Sequence, residues 1–192
     1  ADHLKLTNAF SFIFVGRIVG DKGINELVEA FLQLLNEHNN IRLLLVGNYE
    51  SKLDPVSPLT MQRISTTKEI EAVGPKQGDE LIAYYAASDC FVFPSYREGF
   101  PNTVIEAGAM GLPSIVTDIN GSREIVVANE NGVVIPPRDE KSLYKAMKFM
   151  VEKEKERTLM AGNARRMIAS RYDQKFVREC LMGFYRQITA AH

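Results

Sequence analysis

FSFIFVGRIVGDKG, residues 10–23, changes character halfway along. Phe10 to Ile18 is a continuous apolar run of aromatic and β-branched residues, the composition of a strand buried on both faces. Gly16, Gly20 and Gly23 then free the backbone for a tight turn, and Arg17 and Lys22 place two cations five residues apart before a helix. That helix is read over Ile24 to Asn36, where Leu27, Val28, Phe31, Leu34 and Leu35 fall at helical spacing and Glu26 and Glu29 lie near the positive end. The same alternation recurs along the chain. Strands are expected at residues 41–46, 70–73, 90–93, 114–117 and 133–135, and helices at 80–87 and 103–110, with a helical turn at 124–127. Alternating strands and helices with short connections predict a parallel sheet covered on both faces, a doubly wound α/β fold. Beyond residue 138 only helices are expected, at 141–151, 156–170 and 174–188. Residues 48–68, with Pro55 and Pro58, read as a long loop with one helical turn near Leu59 to Ile64.

Composition narrows the class. The 192 residues suit one domain with one core, and 45% hydrophobic with 24% charged residues fits a folded, water-soluble chain. No apolar run reaches the length of a membrane span, and Ala1 to Lys5 lacks the plan of a signal peptide. Cys90 and Cys180 read as two buried thiols, so the expected compartment is the cytoplasm. A net charge of −1 excludes the basic footprint of a nucleic-acid binder. The charge is uneven: residues 138–192 carry 13 Lys+Arg against 7 Asp+Glu. Solvated helix faces account for that, with a partner domain or an anionic membrane surface as the minority reading.

In an open parallel sheet, ligands bind beyond the carboxyl ends of the strands, so three loops matter. The first is Gly16 to Gly23, which resembles a phosphate site but is neither a dinucleotide fingerprint nor a Walker loop. The second, Pro94 to Ala107, carries Glu98 in the loop and Glu106 one turn into a helix that Asn102 is expected to cap. Two carboxylates beside free backbone amides suit a nucleotide sugar, the carboxylates accepting from hydroxyls and the amides holding phosphate. The third, Thr117 to Val126, has the composition of a βα turn that closes over the sugar end of a ligand.

In this order the three segments resemble the C-terminal, donor-binding half of retaining family 4 glycosyltransferases with the GT-B fold. The G-R loop followed by K-G is met by Gly16, Arg17, Lys22 and Gly23, and E-x7-E by Glu98 and Glu106. E-G-F-P is met by Glu98 to Pro101, G-x-P-x-[IV] by Gly111, Pro113 and Ile115, and E-I-V by Glu124 to Val126. N-G-x-x-[IV]-P-P is met by Asn131 to Pro137. The resemblance spans essentially the whole chain and implies a Rossmann-like domain whose terminal helix, residues 172–192, packs toward an N-terminal acceptor domain.

The resemblance also implies roles. Arg17 and Lys22 bind the donor diphosphate and stabilise its growing charge, and with Glu98 form the catalytic set. Glu98, Gly99 and Phe100 contact the transferred sugar, Asn102 and Thr103 offer amides to phosphate, Glu106 holds the ribose, and the backbone at Lys76 meets the base. The implied donor is a nucleoside diphosphate sugar, with a UDP-sugar favoured, and the acceptor a saccharide or lipid-linked saccharide. No cofactor or metal is expected, since no Asp-x-Asp element is present. Similarity of Tyr96 to Pro101 to enzymes of bacterial surface polysaccharides suggests that pathway, with work at the inner face of the membrane.

Pro101 has no N–H to offer. Asn120-Gly121-Ser122 stands where a double glycine is commoner. In the family that this chain resembles, the acceptor domain carries a histidine near the reacting centre; His3, His38 and His192 lie outside every motif and do not replace it. A non-catalytic nucleotide- or sugar-binding module is the alternative; a binder alone has less need of both carboxylates.

Overall fold

A computed structural model describes residues 9–50, 52 and 54–172. The apolar run that opens the sequence forms β1, Phe10–Val15, at the middle of a six-stranded sheet. A short 3-10 turn, Gly20–Lys22, leads into α1, Ile24–Leu35. The chain continues through β2 (Ile41–Val46), α2 (Pro58–Thr66), β3 (Ile70–Gly74), α3 (Gly78–Ala86) and β4 (Cys90–Phe93). The described residues then run through α4 (Asn102–Ala109), β5 (Ser114–Thr117), α5 (Ser122–Ile125), β6 (Gly132–Ile135), α6 (Glu140–Glu152) and α7 (Glu154–Tyr172).

Strand order is β3-β2-β1-β4-β5-β6 and every pairing is parallel, the doubly wound Rossmann-like arrangement. Phe12 of β1 lies opposite Leu43 of β2 on one side and Cys90 of β4 on the other. Right-handed crossovers therefore put helices on opposite faces for the two directions of winding. α1 packs against α6, and α4 against α7. Phe12, Ile13, Phe14, Leu43, Leu44, Leu45, Phe91 and Val92 are wholly buried, as strands covered on both sides must be. The direction of winding reverses between β1 and β4, which makes the crevice above those two strands the expected ligand site.

Three expectations are corrected. Residues 58–66 are a full helix rather than one turn: Ser57 caps it by accepting from the Thr60 amide, and Pro58 sits at its first position, where no N–H is needed. The irregular composition hides it because few apolar residues are required to cover the edge strand β3. Asn102 is not the N-cap of α4; Pro101 is, with extended backbone, and Asn102 is the first helical residue. The first strand stops at Val15, where Gly16 turns the chain, so Arg17 and Ile18 belong to the loop. The expected helix at 174–188, Cys180, His3 and His192 lie outside the described residues. Cys90 is buried and unpaired, and its burial pushes the thiol's pKa up. Among the described residues no helix is long and apolar enough to cross a membrane.

Gly23 joins the 3-10 turn to α1 at φ 70°, where a side chain is strained, and a Cβ there would overlap the Pro94 carbonyl. Gly23→Ala is expected to cost about 2 kcal/mol or more, read as a lower urea midpoint at unchanged slope. Gly162→Ala should instead raise the midpoint, by roughly 0.5–1 kcal/mol, since that glycine is inside α7 with open space around it.

Candidate functional site

The loops after β1 and β4 are laced together over the crevice. Tyr96 N–H donates to the Asp21 carbonyl at 2.8 Å, and Arg97 Nε lies 3.4 Å from the Asp21 carboxylate. The Tyr96 hydroxyl donates to Glu26 at 2.5 Å while Arg138 covers its ring at 4.6 Å. These contacts fix the 3-10 turn against residues 95–98 and so bring Lys22 to Glu98.

Lys22 and Glu98 form an ion pair with side chains only 12% and 16% exposed. The ammonium also stands 5.6 Å from the centre of the Phe93 ring, on a floor where Phe93 stacks between Phe14 and Phe91. Ser95, wholly buried, donates to the same Glu98 oxygen at 2.8 Å. A low-dielectric setting strengthens both contacts and makes either partner costly to leave alone. Glu98 is thus a mostly buried, oriented carboxylate rather than a solvent-exposed loop charge.

Arg17 is placed differently. Its side chain is 55% exposed and its Nη1 bonds Glu50 at 2.8 Å, from the loop after β2. That hydrogen bond is the chief cause of its raised pKa, with Asp21 and Glu98 adding smaller attractions. Arg17 therefore lies in the electrostatic field of the same rim without touching the Lys22–Glu98 pair.

Glu106 sits in the second turn of α4, exposed, with one oxygen accepting from the Tyr85 hydroxyl at 3.0 Å. The Asn102 and Thr103 amides belong to the first turn, where no intrahelical acceptor exists, and they lie beside Pro101 at the same rim. Space around the Cα of Gly99 is open, and Phe100 is half exposed, its ring edge-on to Tyr172 at 5.7 Å. The third loop closes onto the second: Gly121, at φ 82°, has the Gly99 carbonyl where a Cβ would be, and the Thr117 hydroxyl donates to the Ser95 carbonyl. Arg123 braces that loop through Asp118 at 3.2 Å and Asn120 at 2.8 Å. Lys76 is engaged along α3 instead, 3.5 Å from Glu80 and over the Tyr84 ring.

The loops and helix start at this rim carry Gly16, Arg17, Lys22, Glu98, Gly99, Phe100, Asn102, Thr103 and Glu106, while the Lys76 side chain pairs with Glu80 of α3. Sequence reading missed Glu50, Ser95, Tyr85 and Asp54. The Asp54 carboxylate accepts from the Asp21 amide and its carbonyl from Gly20 N–H at 2.8 Å, bracing the 3-10 turn. Only Ser95 had a local signal, its place directly after a buried strand. An apolar cavity of about 320 Å³ lies between β6 and α6, lined by Val133, Ile135, Ala146 and Phe149 and by none of these loop residues. Lys145, Ser142 and Asn129 also border it, but it holds no carboxylate and lies apart from the rim, which offers cations, amides and carboxylates together. Among the described residues no group of three or more His, Cys, Asp or Glu is placed to hold a metal ion.

Comparison with known proteins gives the family and the fold. A family model described as "Glycosyl transferases group 1" matches residues 1–167. The chain is 31% identical over 185 residues to the capsular polysaccharide biosynthesis glycosyltransferase CapM of Staphylococcus aureus, covering 95% of this chain and 47% of that protein. It is 33% identical over 135 residues to the putative teichuronic acid biosynthesis glycosyltransferase TuaC of Bacillus subtilis, 70% of this chain and 31% of that protein. It therefore spans about half, or less, of these relatives. Among solved structures, sucrose-phosphate synthase from Thermosynechococcus elongatus superposes with a TM-score of 0.84 at 27% identity, over 100% of this chain and 48% of that one. Alr3699/HepE of Anabaena, in complex with UDP-glucose, shares the fold with a TM-score of 0.84 at 21% identity, over 97% of this chain and 51% of that one.

The two cations should differ sharply in what they contribute to stability. Lys22→Met strands Glu98 in a mostly buried place and is expected to cost about 2 kcal/mol in urea unfolding. Arg17→Gln breaks an exposed pair and should cost under about 1 kcal/mol.

Proposed function

From the membership of this chain in the group 1 glycosyl transferases, we propose that it is the donor-binding part of a retaining, metal-independent glycosyltransferase. Its donor is a nucleoside diphosphate sugar, a UDP-sugar by preference, and it passes a hexosyl group to a saccharide or lipid-linked acceptor held by a second, N-terminal domain. The observation that carries this reading is the Lys22–Glu98 pair, which joins the loops after β1 and β4 at the crevice where the sheet reverses, with Glu106 and the first-turn amides of α4 following the second of those loops.

The resting ion pairs suggest how the site works. Without ligand, Lys22 is neutralised by Glu98 and Arg17 by Glu50. A diphosphate offers both cations a stronger, multiply charged acceptor. Lys22 exchanges its carboxylate for phosphate, and Glu98, kept in place by Ser95, turns its freed lone pairs to hydroxyls of the sugar. As the glycosidic bond breaks, negative charge grows on the diphosphate, and Lys22 and Arg17 stabilise it through fixed charges already in position. Cations doing this work leave no step that requires a divalent ion. Retention fits a path in which the departing phosphate helps deprotonate the acceptor hydroxyl on the same face. Glu106 receives the ribose hydroxyls and the backbone near Lys76 the base. The names of CapM and TuaC support a place in polysaccharide assembly, and we place that work at the inner face of a membrane.

Binding to this chain alone should be weak, about −4 to −6 kcal/mol, because half the cleft wall is contributed elsewhere. Ligand-observed NMR with UDP-, GDP- and ADP-sugars is expected to show UDP-sugar binding in that range, unchanged by EDTA. Glu98→Ala should spare UDP itself and abolish discrimination between UDP-sugars. No binding to any of the three classes, or binding lost on chelation, would contradict the proposal. The purified chain is expected to show no transfer to acceptors.

A further inference from the structure

Tyr85 is the deepest residue of α3, only 2% exposed, with its ring against Phe91 of β4 at 6.2 Å between centres. Phenylalanine would fill that space as well and bury no hydroxyl, so the oxygen needs a reason to be there. Its acceptors are Oε2 of Glu106 at 3.0 Å and, at the limit of hydrogen bonding, the Thr103 carbonyl at 3.5 Å. Burial first, and then the neighbouring Glu106 charge, keep the phenol's proton firmly in place, so it serves as a donor throughout the working pH range. The carboxylate is therefore gripped from inside the protein by one oxygen. Among the described residues nothing donates to the other.

A glutamate on an exposed helix face samples several rotamers and must be ordered when it grips a ligand, which weakens binding. A bond from the core removes that freedom before the ligand arrives. We propose that Tyr85 is a positioning residue: its buried hydroxyl holds Oε2 of Glu106 so that Oε1 alone is presented to the ribose diol of a nucleoside diphosphate. This rests on the assignment of Glu106 to the ribose made above. The hydroxyl reaches from the helix before β4 to the helix after it, so the strand bearing the second loop is bracketed by the two groups that set the ribose contact.

The test compares UDP with 2′,3′-dideoxy-UDP, titrated by ligand-observed NMR into the wild-type chain, Tyr85→Phe, Glu106→Ala and the double variant, with thermal midpoints measured for each. The wild-type chain should prefer UDP. Tyr85→Phe should weaken UDP binding about fivefold, the effect of one lost hydrogen bond, and leave the dideoxy nucleotide unchanged. In the Glu106→Ala background the tyrosine substitution should have no further effect on either nucleotide. Wild-type UDP affinity in Tyr85→Phe would overturn the proposal. So would equal weakening of both nucleotides, which would mark a purely structural hydroxyl, or weakening that persists in the Glu106→Ala background. If Glu106→Ala leaves the preference for UDP intact, the ribose assignment itself fails and takes the role of Tyr85 with it. Absence of UDP binding by the wild-type chain would overturn both.

Discussion

The ion pair between Lys22 and Glu98 crosses the line where the winding of the sheet reverses. Everything proposed for the site depends on that crossing. The two residues lie far apart in sequence and belong to different βα units, yet β1 and β4 are neighbours in the sheet, so the loops that follow them must share one crevice. For the anion site proposed above, the pair answers a general difficulty. Cations gathered for a ligand repel one another and lose hydration when it is absent. Here each has a carboxylate in reserve, one mostly buried and one exposed, and the arrangement is neutral at rest.

The difference between the two pairs bears on function. Lys22 sits on an aromatic floor beside a wholly buried serine, where moving a charge is expensive and geometry is tightly held. Arg17 is solvated and can swing between Glu50 and a ligand at little cost. A diphosphate would thus meet one rigid and one mobile cation, the first setting register and the second following charge as it builds.

Much of this was legible in the residues. The alternation of apolar runs and amphipathic helices specifies the parallel sheet, because a strand such as Phe10–Val15 leaves no face for water. The glycine at 23 and the carboxylates at 98 and 106 lie in loops or helix starts beyond the carboxyl ends of strands, where open parallel sheets commonly bind ligands. What escaped was of another kind. Helix α2 is hidden because its start is marked by the Ser57 cap and Pro58 while the helix buries just Thr60 and Ile64, too few for a clear period. The Asn102 cap was wrongly expected because proline's fixed extended backbone can enter a helix without a side-chain acceptor. Tyr85, Glu50 and Asp54 act through contacts across 21 or more residues of sequence, and nothing local distinguishes a buried tyrosine that holds a carboxylate from one that only fills space.

The central claim is that one ligand touches all three loops at once. Backbone amide chemical-shift mapping of the labelled chain with a UDP-sugar tests it most directly. The account predicts saturable perturbations together at residues 16–23, 98–106 and 120–122, all reporting one dissociation constant. Shifts confined to a single loop, or gathered around the β6–α6 cavity, would contradict it.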